Sequence, residues 1–253
     1  MKDKQPAAAP VLQRSLSIYT LVGALQSAVW FFCLSPLLKP IWTHFGGFTP
    51  ETAELMVWLI LIPYFFVYTL FVALPPYLLE WDFFEQFKIS KEPWPWRDER
   101  QSVRQDFWKL TRKSIMYDFV NLVVFIPACV YLKTLLFPSR GVSFAIEEWP
   151  TYWESGVGVL SMILLHEFGF YTTHRIMHSH PALYQYHKVH HEYKQNDVLS
   201  AQHFHPVDLL FSIAIPAILP TIIVKPHSFT QVLVGLWIFT ANLDDHLGYA
   251  FPW

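Results

Sequence analysis

Two long runs without a formal charge limit what this chain can fold into. Ser15 to Leu38 is 24 residues bounded by Arg14 and Lys39, and Leu55 to Leu79 is 25 residues bounded by Glu54 and Glu80. At about 1.5 Å of rise per residue, either run as a helix crosses a bilayer core of roughly 30 Å. The first run is too long and too aromatic for a cleavable signal peptide. Pro63 is expected to kink the second, and Pro75-Pro76 to end it. The rest of the chain agrees with a membrane setting. Charged residues make up 15% against roughly 25% in soluble domains, while apolar residues reach 53% and aromatics 18%. That balance excludes a disordered chain, a collagen-like repeat, a coiled coil and a nucleic-acid module with a broad basic face. Cys33 and Cys129 both sit in apolar stretches, so neither a disulfide framework nor a thiolate metal site is expected.

Residues 1–14 read as a disordered tail. Residues 80–118 carry eight Lys or Arg interleaved with carboxylates. Within them, 98–113 reads as a polar helix lying on the membrane surface, with Val103, Phe107, Trp108 and Leu110 as anchors. Shorter apolar stretches follow at 119–132, 155–173, 209–224 and 229–243, as partial hairpins or as spans lengthened by aromatic flanks. With 1–14, 80–118, 174–208 and 244–253 on the cytosolic side, 14 of the 18 basic residues face the cytosol, in accord with the positive-inside bias. The expected fold is all-α, a multi-pass membrane helical bundle.

Histidine marks the chemistry. Nine of the 12 histidines fall between His166 and His205. His174 and His178 are one helical turn apart and share a face. His187, His190 and His191 stand at i, i+3 and i+4, and Pro181 separates the two pieces so that one can fold onto the other. Five imidazoles exceed the four donors of a structural zinc and suit two adjacent transition metals. His180 lies off the shared face and is excluded. Glu167 is a carboxylate at membrane depth, where a charge needs a partner. It and His166 are expected to brace a ligating imidazole, as Asp208, Asp244 and Asp245 are.

In order, His174-Arg175, His178, Leu183-Tyr184 and His187-Lys188-Val189-His190-His191-Glu192 resemble the histidine boxes of the fatty acid hydroxylase / sterol desaturase superfamily. Phe204-His205-Pro206-Val207-Asp208 resembles its FHPVD element. Asp245-His246-Leu247-Gly248-Tyr249 with Pro252-Trp253 resembles its DxHxGY…P element. The resemblance covers 160–253 well and 55–118 loosely, is C4-methylsterol oxidase-like, and is specific for the superfamily but weak for the substrate. It implies a non-haem di-iron site on the cytosolic face of the endoplasmic reticulum membrane, liganded by His174, His178, His187, His190, His191 and His246, with His205 next in line. It further implies O₂-dependent hydroxylation or stepwise oxidation of a sterol methyl group or an acyl chain. Electrons would come from NAD(P)H through cytochrome b5 and its reductase, since no GxGxxG or P-loop offers a nucleotide site on this chain. Residues 15–135 would form the N-terminal spans and 136–253 the catalytic domain. The family's third histidine box has no counterpart before Trp253, so the chain reads as C-terminally incomplete. Two alternatives stand beside this reading: a metal-binding or metal-transporting membrane protein, and a catalytically inactive truncated relative.

Overall fold

Prolines shape the helices of this protein more than they end them. The computed structural model describes residues 16–44, 50–79, 82–137 and 142–250. The expected tail at 1–14 and the Pro252-Trp253 pair lie outside these residues. Helix α1 spans Leu16–His44 and runs through Pro36 and Pro40. Helix α2 (Pro50–Tyr68) runs through Pro63, then passes by a π-helical turn at Thr69–Ala73 into α3 (Pro75–Leu79). A short α4 (Asp82–Glu85) leads to the linker. Helix α5 (Gln101–Val120) joins α6 (Ile126–Leu136) through a second π turn, Asn121–Phe125. Next come α7 (Tyr152–Ser179) and α8 (Pro181–His187). Helix α9 (Pro206–Leu209) joins α10 (Ile215–Val224) through a third π turn, Leu210–Ala214, and α11 (Ser228–His246) completes the set.

Each π turn ends two residues before a proline: Ala73 before Pro75, Phe125 before Pro127, Ala214 before Pro216. A proline ring clashes with the carbonyl one turn back and offers that carbonyl no N–H. Widening the preceding turn relieves the clash and keeps the rod continuous. Two expectations are corrected as a result. Pro75-Pro76 does not end the second span, which continues to Leu79, and 98–113 is not a helix separate from 119–132. Helix α5 begins at Gln101 and passes without a break into α6, because no Gly or Pro lies between 101 and 126.

Three of these rods, Val57–Leu79, Gln101–Leu136 and Pro206–Val224, are long and apolar enough to cross a membrane. With the exposed apolar side chains of Phe71, Phe119, Leu135, Leu160 and Phe168, they make this a membrane helical bundle. The helices alternate in direction, so their ends gather into two layers. One layer holds the ends of α1 and α6 and the start of α7, and a bridge there pairs Ser143 with His227. The other holds the ends of α7 and α11, and its bridge pairs Lys88 with Tyr249. Between them, Val57, Leu61, Val232 and Leu236 pack α2 on α11, while Val159, Met162, Phe229 and Leu233 pack α7 on α11. The α2–α11 approach is close at Gly235, where a Cβ would stand 2.5 Å from Leu61 Cδ1. Helix α7 starts on a capping box, in which Thr151 Oγ1 accepts from the Glu154 N–H and the Thr151 N–H donates to Glu154 Oε2 at 2.8 Å.

Candidate metal centre

Helix α7 carries His174 and His178 to the second of these layers. Pro181 starts α8 in a new direction, and α8 returns His187 toward α7. The HxxHH segment does not stay on one helix as its spacing suggests. Helix α8 ends at His187, and His190–Glu192 form a separate 3₁₀ turn. The rings converge all the same. His187 Nε2 stands 3.1 Å from His178 Nε2 and 3.1 Å from His191 Nε2. One ring nitrogen each from His174, His178 and His187 lie within 4.8 Å of one another. A second focus forms where α11 delivers His246, whose Nε2 is 3.4 Å from His190 Nε2. The two foci are adjacent, with the His187 and His190 ring centroids 6.0 Å apart.

Hydrogen bonds fix two of the tautomers. His187 Nδ1 donates to Asp208 Oδ1 at 2.9 Å, and both side chains are fully buried. Ser212 holds the same carboxylate oxygen from one turn along, at 2.7 Å. His246 Nδ1 donates to the Asn242 carbonyl at 2.7 Å. In a neutral ring, either bond leaves Nε2 unprotonated and turned inward. Burial holds His174 down at about 4 and His190 down at about 3, with neighbouring imidazoles acting in the same direction. Burial and His187 likewise lower His191. These rings are therefore neutral near pH 7, the form that ligates metal.

This donor set fits a transition-metal centre. One His187 lone pair faces two other Nε2 atoms and can pair well with only one, while His174 Nδ1 and His190 Nδ1 are buried with no hydrogen-bond partner. A cation satisfies such converging lone pairs where protons cannot. Imidazole nitrogens suit iron, zinc, copper or nickel.

The other expected residues are placed differently. His205 caps α9, its Nδ1 accepting from the Val207 N–H at 3.1 Å, and its ring lies against Tyr186. His166 is buried on α7 with Nδ1 3.3 Å from Glu167 Oε1, and the Glu167 carboxylate is itself half-exposed. Neither touches a clustered ring directly, although Phe170 bridges His166 and His174 by ring contacts. Asp245 neighbours His246 in sequence, and burial raises its carboxyl above the usual range. Arg175 donates to Tyr171 Oη at 2.8 Å.

Sequence reasoning missed a support behind the HxxHH turn. Lys113 Nζ contacts both Glu192 oxygens at 2.6 Å, and Glu192 Oε2 lies 3.2 Å from His203 Nε2. His203 Nδ1 and Tyr193 Oη both meet Ser114 Oγ, at 2.8 and 2.7 Å. Phe204 then stacks flat on His190 at 4.5 Å. Spacing gave no signal for this link, because its partners lie 79 residues apart.

Residues 159–253 match the family model for fatty acid hydroxylase. Among similar proteins, fatty acid hydroxylase ahd1 of Mycosarcoma maydis is 30% identical over 56% of this chain and 37% of its own length. Methylsterol monooxygenase 2-2 of Arabidopsis thaliana is 28% identical over 57% of this chain and 52% of its own. A cholesterol 25-hydroxylase-like protein of Caenorhabditis elegans is 28% identical over 72% and 56%. The chain thus spans between about a third and a little over half the length of these curated relatives. No solved structure gives a significant match. The matched segment, residues 159–253 of this membrane protein, contains every ring of the cluster and is similar to the fatty acid hydroxylase family.

Proposed function

We propose that the protein is an O₂-dependent lipid oxidoreductase with a non-haem di-iron centre. The observation that carries this is the meeting of six imidazoles from α7, α8, the 3₁₀ turn and α11 at one end of a bundle with lipid-facing helices. His174, His178, His187 and His191 would hold one iron, and His190 and His246 would contribute to the other. When bound, the iron pair supplies O₂ activation and oxidation of an unactivated C–H bond. Hydroxylation balances as C–H plus O₂, two electrons and two protons, giving C–OH and water. The electrons come from NAD(P)H through cytochrome b5 and its reductase.

The chain's own residues prepare and shelter that chemistry. Asp208 holds the His187 ring by its Nδ1–H and so fixes which nitrogen faces the metal. Phe204 and Phe170 cover His190 and His174, keeping bulk water from the rings. A sterol or acyl chain reaches the site laterally from the membrane, without crossing water. The site faces the cytosol from the endoplasmic reticulum membrane, as the basic residues of the linker favour. Iron content and O₂-dependent formation of an oxidised lipid, measured on the purified chain in sterol- and acyl-containing vesicles supplied with NAD(P)H, cytochrome b5 and its reductase, test the proposal. His190→Ala is expected to lower product to background and to cut bound iron to about half, since only the position shared with His246 is lost. Product formation by His190→Ala, or a wild-type chain that takes up no iron, would overturn it.

A further inference from the structure

The segment after His246 is stitched to the linker that follows α4. The Ile89 N–H donates to the Gly248 carbonyl at 3.0 Å, and the Ala250 N–H to the Phe87 carbonyl at 2.8 Å. Between these bonds, Tyr77 Oη donates to the Leu247 carbonyl at 2.6 Å and accepts from the Val198 N–H at 3.2 Å. Trp94, only 4% exposed, stacks on Trp96 at 5.1 Å and meets both Tyr77 and Tyr249, and the Lys88 ammonium covers its face at 4.5 Å. Gly248 is the keystone. Its φ of 70° lies in the left-handed region, and a Cβ there would stand 2.6 Å from the Asn196 carbonyl and 3.0 Å from the Trp94 ring. No side chain fits without moving backbone.

Only Leu247 separates this keystone from His246, the single clustered imidazole that α11 brings to His190. We propose that the Trp94–Gly248 clasp is a positioning device: residues of the linker, with no ligand among them, set the depth at which His246 sits and so the strength of the second metal position. Trp94 and Gly248 act through His246 and are positioning residues, not ligands. The inference rests on the di-metal reading above.

Cobalt(II) titration of the full-length chain, followed by visible absorption, tests it alongside hydrogen–deuterium exchange. His246→Ala and His178→Ala first identify which absorption each focus produces. Gly248→Ala is then expected to weaken the His246-dependent position tenfold or more, to leave the His178-dependent one within twofold, and to speed exchange at the Ile89 and Ala250 amides. Trp94→Leu should shift the same position in the same direction, which guards against a Gly248 variant that fails to fold. Gly156→Ala, at a helical site where a Cβ meets open space, serves as the unaffected control. Faster exchange with unchanged cobalt binding would overturn the clasp's role while leaving the metal reading intact. A wild-type chain that binds no cobalt would overturn the metal reading itself, before any variant is made.

Discussion

Asp208 shows how one carboxylate governs a site it does not enter. Fully buried and tied to both His187 and Ser212, it fixes the His187 tautomer. Asp208→Asn weakens the acceptor, so metal affinity is expected to fall about 10- to 100-fold with helix content unchanged, as read by metal titration and circular dichroism. His205 offers the opposite case. Its Nδ1 is engaged with the Val207 N–H. His205→Ala is therefore expected to cost about 1 kcal/mol of stability through the lost cap, with full metal content retained. Loss of metal in that variant would return His205 to the ligand set. At this scale the motif was readable where ligation needs only local spacing: His174 and His178 share a face because a helix has a fixed pitch. The Glu192–Lys113 pair was not readable, because it depends on α5 lying behind the HxxHH turn.

Helices here are set by where proline falls and by how closely backbones approach. The apolar runs make the spans legible, but not how they pass their prolines. Pro75-Pro76 in the sequence predicts an end, whereas a π turn placed two residues before each such proline absorbs the clash and lets the rod continue. The HxxHH stretch departs from one helix in the other sense, since an i, i+3, i+4 pattern is shared by a helix and by a helix followed by a 3₁₀ turn. Gly235 tests the α2–α11 contact. Its Cβ would press on Leu61, so Gly235→Ala is expected to destabilise the bundle by about 1–3 kcal/mol in detergent unfolding. Thr151→Ala, which removes the α7 capping box, is expected to cost about 1 kcal/mol by the same measurement.

Across the whole molecule, two polar layers terminate an apolar bundle, and the imidazole cluster belongs to one of them. In chains carrying a single cysteine, Lys194→Cys is expected to react with an impermeant maleimide from the cytosolic side of sealed microsomes, and Lys225→Cys only after permeabilisation. The reverse pattern would invert the orientation. The cluster also joins residues far apart in the chain: His190 and His246 are 56 residues apart. A nascent polypeptide emerging from the ribosome therefore exposes the α7–α8 imidazoles well before α11 has been inserted. During biogenesis, the meeting of His190 with His246 has to wait for α11, and until then the half-built nest is open to any competing ion in the cell.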